Sequence, residues 1–300
     1  MNAIRTPEDR FAGLPGFDYR PAYRTWRGLR LAHIDVGAKD APVALLLHGE
    51  PTWSYLYRSM IPPLLAAGYR VVAPDHAGFG RSDKPTDEGW YSVQGHVEAL
   101  ADLISNENLN RITLFVQDWG GPIGLRQVTL APKRFERLAI MNTWLHHEGF
   151  EYGPAIRKWR ADALDEKRLG GDMPTGRIVL GTRGRPPADP DAIRRAYDAP
   201  FTGVASKAGA RRFPFMIPFG EPQLGQAVEQ ERDYHALLKS DIPKHFIWGD
   251  ADPIFSVDWG RTWAQRSRNA TFDAIAGAGH FLQDDAGEEI ADVFLRRACA

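Results

Sequence analysis

Short, continuous apolar runs, each leading through a polar or glycine-rich turn into a stretch of helical period, constrain this chain more than any other feature. Val43–Leu47, Arg70–Ala73, Ile112–Val116, Leu138–Met141, His245–Trp248 and Thr271–Ile275 have strand length. Helical spacing runs through Tyr55–Ala67, Val93–Ser105, Pro122–Leu130 and Gly287–Arg297 between and after them. A strand that is apolar at successive positions must be covered on both faces, which is the condition of a parallel sheet between two helix layers. Residues 17–36 alternate loosely and hold aromatic and β-branched residues, which predicts two antiparallel strands ahead of the parallel set. The fold class is α/β, a mostly parallel sheet of eight strands with helices on both faces.

The rhythm breaks between Asn142 and His245. Residues 146–222 are rich in Gly, Pro and Arg and hold short helical pieces without a clear strand–helix unit. The stretch is too long for a loop of a compact domain. Ile156, Trp159, Leu164, Phe213, Phe215 and Met216 give it apolar surface to pack. It predicts a helical cap domain over 146–222, inserted after the sixth strand, on a core domain formed by 1–145 and 223–300.

Thirty-seven basic against 38 acidic residues leave a formal charge of -1, so the chain has no surplus of positive charge with which to bind nucleic acid. The single cysteine, Cys299, excludes an internal disulfide framework, a Cys-ligated zinc site and a CxxC redox motif, and it fits a reducing compartment. The opening residues MNAIRTPEDRFAGLPG lack an apolar segment of signal-peptide length, and no run approaches the roughly 20 apolar residues of a membrane span. A cytoplasmic protein without a membrane partner is expected. Nine tryptophans remain unexplained by composition.

The chemistry starts at Asp118. Ile112–Gln117, Asp118, Trp119 and Gly120-Gly121-Pro122 read as a buried strand, a polar residue and a glycine-led helix, the place of a nucleophile elbow. G-x-S-x-G occurs nowhere, so the elbow carries a carboxylate instead of a serine. A lone Asp before a helix is also an ordinary N-cap. Around it, however, stand His48-Gly49-Glu50-Pro51 after Val43–Leu47, Trp248-Gly-Asp250-Ala-Asp252 after another strand and Gly277-Ala-Gly279-His280 after the next. Strands of one parallel sheet bring these ends to one edge, where α/β folds bind ligands. Asp118, Asp252 and His280 follow the order nucleophile, acid, base; Asp250 is the alternative acid. The amides of Glu50 and Trp119 are the expected oxyanion donors, since Pro51 has no N–H. His33, His76, His96, His146, His147, His235 and His245 read as structural, and His146-His147 lacks the neighbours of a metal site.

Taken together, HGEPTWSYLYR (48–58), GFGRSDKP (78–85), VQDWGG (116–121), YDAPF (197–201), AGARRFP (208–214) and GAGHFLQDD (277–285) make the sequence resemble the haloalkane dehalogenases of the α/β-hydrolase superfamily, over essentially the whole chain. With Glu50 after His48-Gly49, it looks like the subfamily whose second halide-binding residue is a cap tryptophan. The resemblance implies hydrolytic dehalogenation through a covalent aspartyl ester, with halide contacts from Trp119, Trp159, Phe213 and Pro214. Trp144 is the rival for the second indole. It also implies a place for the Glu50 side chain in positioning water. The implied partners are a small halogenated aliphatic substrate, water and a halide ion, with no metal, no organic cofactor and a monomeric chain. An epoxide hydrolase shares the triad and would need paired cap tyrosines, for which Tyr152 and Tyr197 are available. One departure stands out: His76-Ala77 occupies a turn where relatives commonly carry apolar residues, a position expected to lie away from the chemistry. The cap arginines, Arg183 and Arg185 among them, read as a solvated face.

Overall fold

The computed structural model describes residues 2–299. Pro21–Trp26 (β1) and Leu29–Val36 (β2) form the antiparallel pair expected ahead of the parallel set. Val43–Leu47 (β3), Arg70–Pro74 (β4), Ile112–Gln117 (β5), Phe135–Met141 (β6), Lys244–Gly249 (β7) and Ala270–Ile275 (β8) complete an eight-stranded sheet in the order β1-β2-β4-β3-β5-β6-β7-β8. From β4 to β8 every neighbouring pair is parallel. Every residue of β3, β4, β5 and β7 is buried, as continuous apolar runs require, while the edge strand β8 is half-buried. A short ribbon, Ala3–Ile4 with Lys84–Pro85, stands apart from the sheet.

Ile61–Ala66 (α1), Val93–Asn106 (α2) and Gly120–Leu130 (α3) follow β3, β4 and β5. The single helix expected over Tyr55–Ala67 is broken: a 3-10 turn spans Ser54–Tyr57 and the helix restarts at Ile61. Pro62 and Pro63 are the cause, because proline is accommodated only in the first helical turn. α2 is N-capped by Ser92, whose Oγ accepts the Gly95 amide at 3.1 Å.

After β6 the chain makes Pro154–Leu164 (α4), Thr175–Gly181 (α5), Pro190–Asp198 (α6) and Ala208–Arg212 (α7), with 3-10 turns at Val204–Lys207 and Phe213–Met216 and no strand among the described residues. Asp189 caps α6 by accepting the Ala192 amide at 2.9 Å. Ala227–Lys239 (α8), Val257–Arg266 (α9) and Leu282–Cys299 (α10) flank β7 and β8. Non-helical backbone at Ala286 divides α10 into a first turn beside His280 and the longer run from Gly287 that the spacing predicts. Among the described residues, no helix is long and apolar enough to cross a membrane.

Candidate active site

Asp118 ends β5 in the left-handed region, at φ 49°, and α3 starts two residues later. Such a conformation costs a non-glycine residue on the order of 1–3 kcal/mol and persists only where its surroundings enforce it. Here the Asp118 amide donates to the Asn142 carbonyl at 3.0 Å. Its own carbonyl accepts the Gly121 amide at 2.9 Å and the Thr143 hydroxyl at 2.5 Å. Two glycines allow the approach: a Cβ on Gly49 would lie 2.3 Å from Asp118 Oδ1, and one on Gly121 would lie 1.9 Å from Thr143 Oγ1. The turn lifts the Asp118 side chain above the sheet's carboxyl edge.

Three of the expected groups meet there. His280 Nε2 lies 3.5 Å from Asp118 Oδ2, and its Nδ1 lies 3.1 and 3.2 Å from the two oxygens of Asp252. Asp252 Oδ1 also accepts the Ile254 amide at 2.7 Å. Asp250 does not compete: it is exposed and accepts the Gly277 amide at 2.6 Å. Of the two expected oxyanion donors, the Glu50 amide donates to Asp118 Oδ1 at 2.9 Å. The Trp119 amide forms no bond to that carboxylate among the described residues.

The sequence reading passed over Gln117 and Asn142. Gln117 Nε2 donates to the His280 carbonyl at 3.1 Å, and Asn142 Nδ2 donates to the carbonyls of Gly279 and His280 at 2.8 and 3.1 Å. Asn142 Oδ1 accepts the Gly249 amide at 2.9 Å, so one side chain ties the ends of β6 and β7 to the histidine loop. The signal was a polar residue at the end of a buried strand, visible at both positions.

Burial disfavours the charged form of His280, but Asp252 and Asp118 outweigh it and hold the imidazole pKa up to about 10. The Glu50 carboxyl is buried, and burial, reinforced by Asp118, pushes it well above the ordinary carboxylate range. His48 is driven down to about 3 by burial. Its Nε2 accepts the His76 amide at 3.0 Å, and His76 Nε2 donates to the His48 carbonyl at 3.0 Å. His76 therefore lies against the loop that presents the Glu50 amide, contrary to the expectation that it sits away from the chemistry.

Glu50, Asp118 and His280 form the polar floor of a cavity whose walls include Trp119, Trp144 and Trp159, with Ile156 and Ile178 reaching in from α4 and α5. Ile156 and Trp159 share a helix face by their spacing of three. Trp119 meets Trp144 edge-on at 4.8 Å. The indoles of Trp53, Trp248 and Trp259 donate to backbone carbonyls, whereas those of Trp119 and Trp159 have no protein acceptor among the described residues. Trp144 Nε1 is buried and likewise has no hydrogen-bond partner among the described residues. Phe213 packs on Trp119 at 5.0 Å, yet neither Phe213 nor Pro214 is among the lining residues. The solvated face expected of the cap arginines fails at Arg183, whose side chain is 6% exposed and paired with Asp284 and Asp285.

Of three-residue clusters with metal-ligating groups, the described residues hold His33, Asp35 and Glu107. Arg70 already engages both carboxylates, Asp35 at 2.8 Å and Glu107 at 3.2 Å.

Residues 42–168 match the alpha/beta hydrolase fold family. Over 99% of its length the chain is 38% identical to a haloalkane dehalogenase of Psychrobacter cryohalolentis, covering 98% of that protein. It is 40% identical to the Mycobacterium marinum haloalkane dehalogenase, over 97% of this chain and 98% of the relative. The tetrameric haloalkane dehalogenase DpaA from Paraglaciecola agarilytica superimposes with a TM-score of 0.90 at 36% identity, covering 98% of this chain and 97% of that one. Identity of 38 to 40% over at least 97% of this chain and 98% of each relative means that the chain belongs to the haloalkane dehalogenase family of the α/β-hydrolase fold.

Proposed function

We propose that this protein hydrolyses small haloalkanes to an alcohol, a halide ion and a proton through an alkyl ester on Asp118. The observation that carries the reading is a carboxylate on the elbow, facing an apolar cavity lined by three indoles, those of Trp119, Trp144 and Trp159, whose N–H groups have no protein acceptor among the described residues. An indole N–H only donates, which suits a departing halide and supplies no competing base. Residues 146–222 act as the cap over the sheet edge, and 1–145 with 223–300 act as the catalytic core.

In the first step Asp118 Oδ2 attacks the carbon that bears the halogen. A C–O bond forms, and the C–X bond breaks with its electron pair leaving on the halide, toward Trp119 and Trp159. Esterification removes the Asp118 charge, one of the two that hold a proton on His280, so the imidazolium gives that proton, the net proton of the reaction, to solvent and becomes a usable base. His280 Nε2 then takes a proton from water, and the hydroxide adds to the ester carbonyl carbon. The oxyanion forms at Oδ1, where the Glu50 amide already donates, with the Trp119 amide as the second donor. Collapse expels the alkoxide, which recovers the proton from His280. Asp118 ionises again, and its proton returns to His280, which restores the resting pair. Asp252 holds Nδ1 and stabilises the imidazolium throughout. The buried Glu50 carboxyl stands beside Asp118 as a positioning group for the water.

The alternative, epoxide opening on the same triad, lacks its acids here. Tyr152 and Tyr197 are not among the residues lining this cavity, and Tyr197 donates to Asp284 at 3.2 Å.

The test is a single turnover of 1,2-dibromoethane in water enriched in oxygen-18. Bromide is released, the alcohol carries oxygen-16 from the carboxylate, and the heavy isotope appears in the peptide that contains Asp118. Asp118→Asn releases no bromide. Heavy oxygen in the first-turnover alcohol would eliminate the ester, and opening of styrene oxide with bromoalkanes left intact would favour the epoxide reading.

A further inference from the structure

The loop that carries His280 is gripped from the side of α5 by bonds that the proposed reaction does not use. The His280 amide donates to the carbonyl of Thr182, the residue after α5, at 3.0 Å. Two residues further on, the Gly184 amide donates to Asp285 Oδ2 at 2.8 Å. The same oxygen accepts the amide of Gly279, the residue before His280, also at 2.8 Å. Asp285 Oδ1 lies 3.1 Å from the Arg183 guanidinium. Arg183 also pairs with Asp284, which pairs with Arg58 beneath it. Both aspartate side chains are fully buried.

The two backbones nearly touch. A Cβ on Gly184 would lie 2.2 Å from the Gly277 carbonyl oxygen, and one on Gly279 would lie 2.3 Å from that of Thr182. Ile178 and Thr182 of this segment also line the cavity. One piece of chain therefore walls the substrate space and grips the base.

Resting on the reaction proposed above, we infer that Asp285 is a positioning residue, whose carboxylate staples the His280 loop to residues 182–184 so that the base is in place only while that segment is docked. A carboxylate bridging two amides makes charge-assisted bonds, stronger than neutral ones. Without it, the Gly184 and Gly279 amides lose a charged acceptor and the buried Arg183 guanidinium loses one of its two carboxylates, and burial makes the losses at Gly279 and Arg183 costly. Alkylation needs only Asp118 and the halide contacts. Ester hydrolysis needs the His280 ring to reach water, so a loosened staple slows the second step and spares the first.

Two measurements on Asp285→Ala and Asp285→Asn decide this. Rapid-quench kinetics with 1,2-dibromoethane should show a burst of one bromide per site in Asp285→Ala, followed by steady-state turnover lowered by roughly 100-fold, the cost of a misplaced catalytic group. Mass spectrometry should find the alkylated enzyme accumulating. Asp285→Asn, which keeps an oxygen for the two amides, should lie closer to the parent. Hydrogen–deuterium exchange should rise over residues 182–186 and 277–281 in Asp285→Ala while β3 to β5 stay protected. Burst and turnover falling together, or exchange rising throughout, would mean a merely structural residue and overturn the inference. So would local exchange without any change in turnover, or unchanged exchange. Should the parent protein release no bromide, the proposed reaction is lost, while the exchange measurement still reports whether the staple exists.

Discussion

The carboxyl edge of the sheet and the helical stretch after β6 build the same cavity by opposite means. At the sheet edge, Asp118, Asp252 and His280 are fixed by backbone and buried polar bonds: Asn142, Gln117, Thr143 and the Glu50 amide each contribute at 2.5 to 3.1 Å. On the other side, Ile156, Trp159 and Ile178 are held by side-chain packing on short helices. Trp159 itself is only half-buried. Directional bonds suit groups that must hold reacting geometry, whereas packing suits a wall whose shape sets what enters. The staple at Asp285 is where the two meet.

The contrast is sharpest if each side is broken separately. The largest effect is expected at the edge. His280→Phe should leave one equivalent of halide released per site and lower steady-state turnover by about 10⁴-fold, comparable to disabling another triad member. Quench-flow and intact mass would check it, and normal turnover would break the division of labour.

On the packing side, Trp159→Phe removes a donor but keeps an aromatic wall. The expected loss is roughly 100-fold in halide release, the usual cost of one donor to developing charge. Trp144→Phe, whose indole packs edge-on to Trp119 and stacks on Phe255, should cost less. The reverse order would move the second halide contact to Trp144.

The smallest effect is on stability. His280 has an ordinary pKa of 6.5 and is held up to about 10 in the fold by Asp252 and Asp118, over the opposition of burial. A raised pKa contributes stability that is fully present below 6.5 and is lost as pH rises toward 10. The Tm of the parent should therefore fall more than that of His280→Phe across this window. Parallel melting curves would show that the two carboxylates do not hold the proton.

Most of the edge was legible in the chain. Continuous apolar strands lead into polar turns, and chain order alone places Asp118, Asp252 and His280 in sequence, because parallel strands deliver their ends to one side. Glu50 followed from the turn after β3. Gln117 and Asn142 were not singled out, since a polar residue at a strand end has many uses and only the folded loop shows which carbonyl it meets. The stretch after β6 was legible as helical and apolar, but not in detail. Phe213 packs on Trp119, and neither it nor Pro214 is among the residues that line the cavity.

Two sites show where the sequence stops. His76 and Arg183 read as a loop residue and a solvated cation, yet one clasps His48 and the other lies buried against Asp284 and Asp285. Local order, period and turn chemistry determined the sheet, the elbow and the order of the triad, because these depend on residues near one another in the chain. Which indoles line the cavity, and which carboxylate ties the histidine loop to residues 182–184, was decided only by tertiary packing, since Gly184 and Asp285 are 101 positions apart and meet only once the sheet and the helices after β6 have docked.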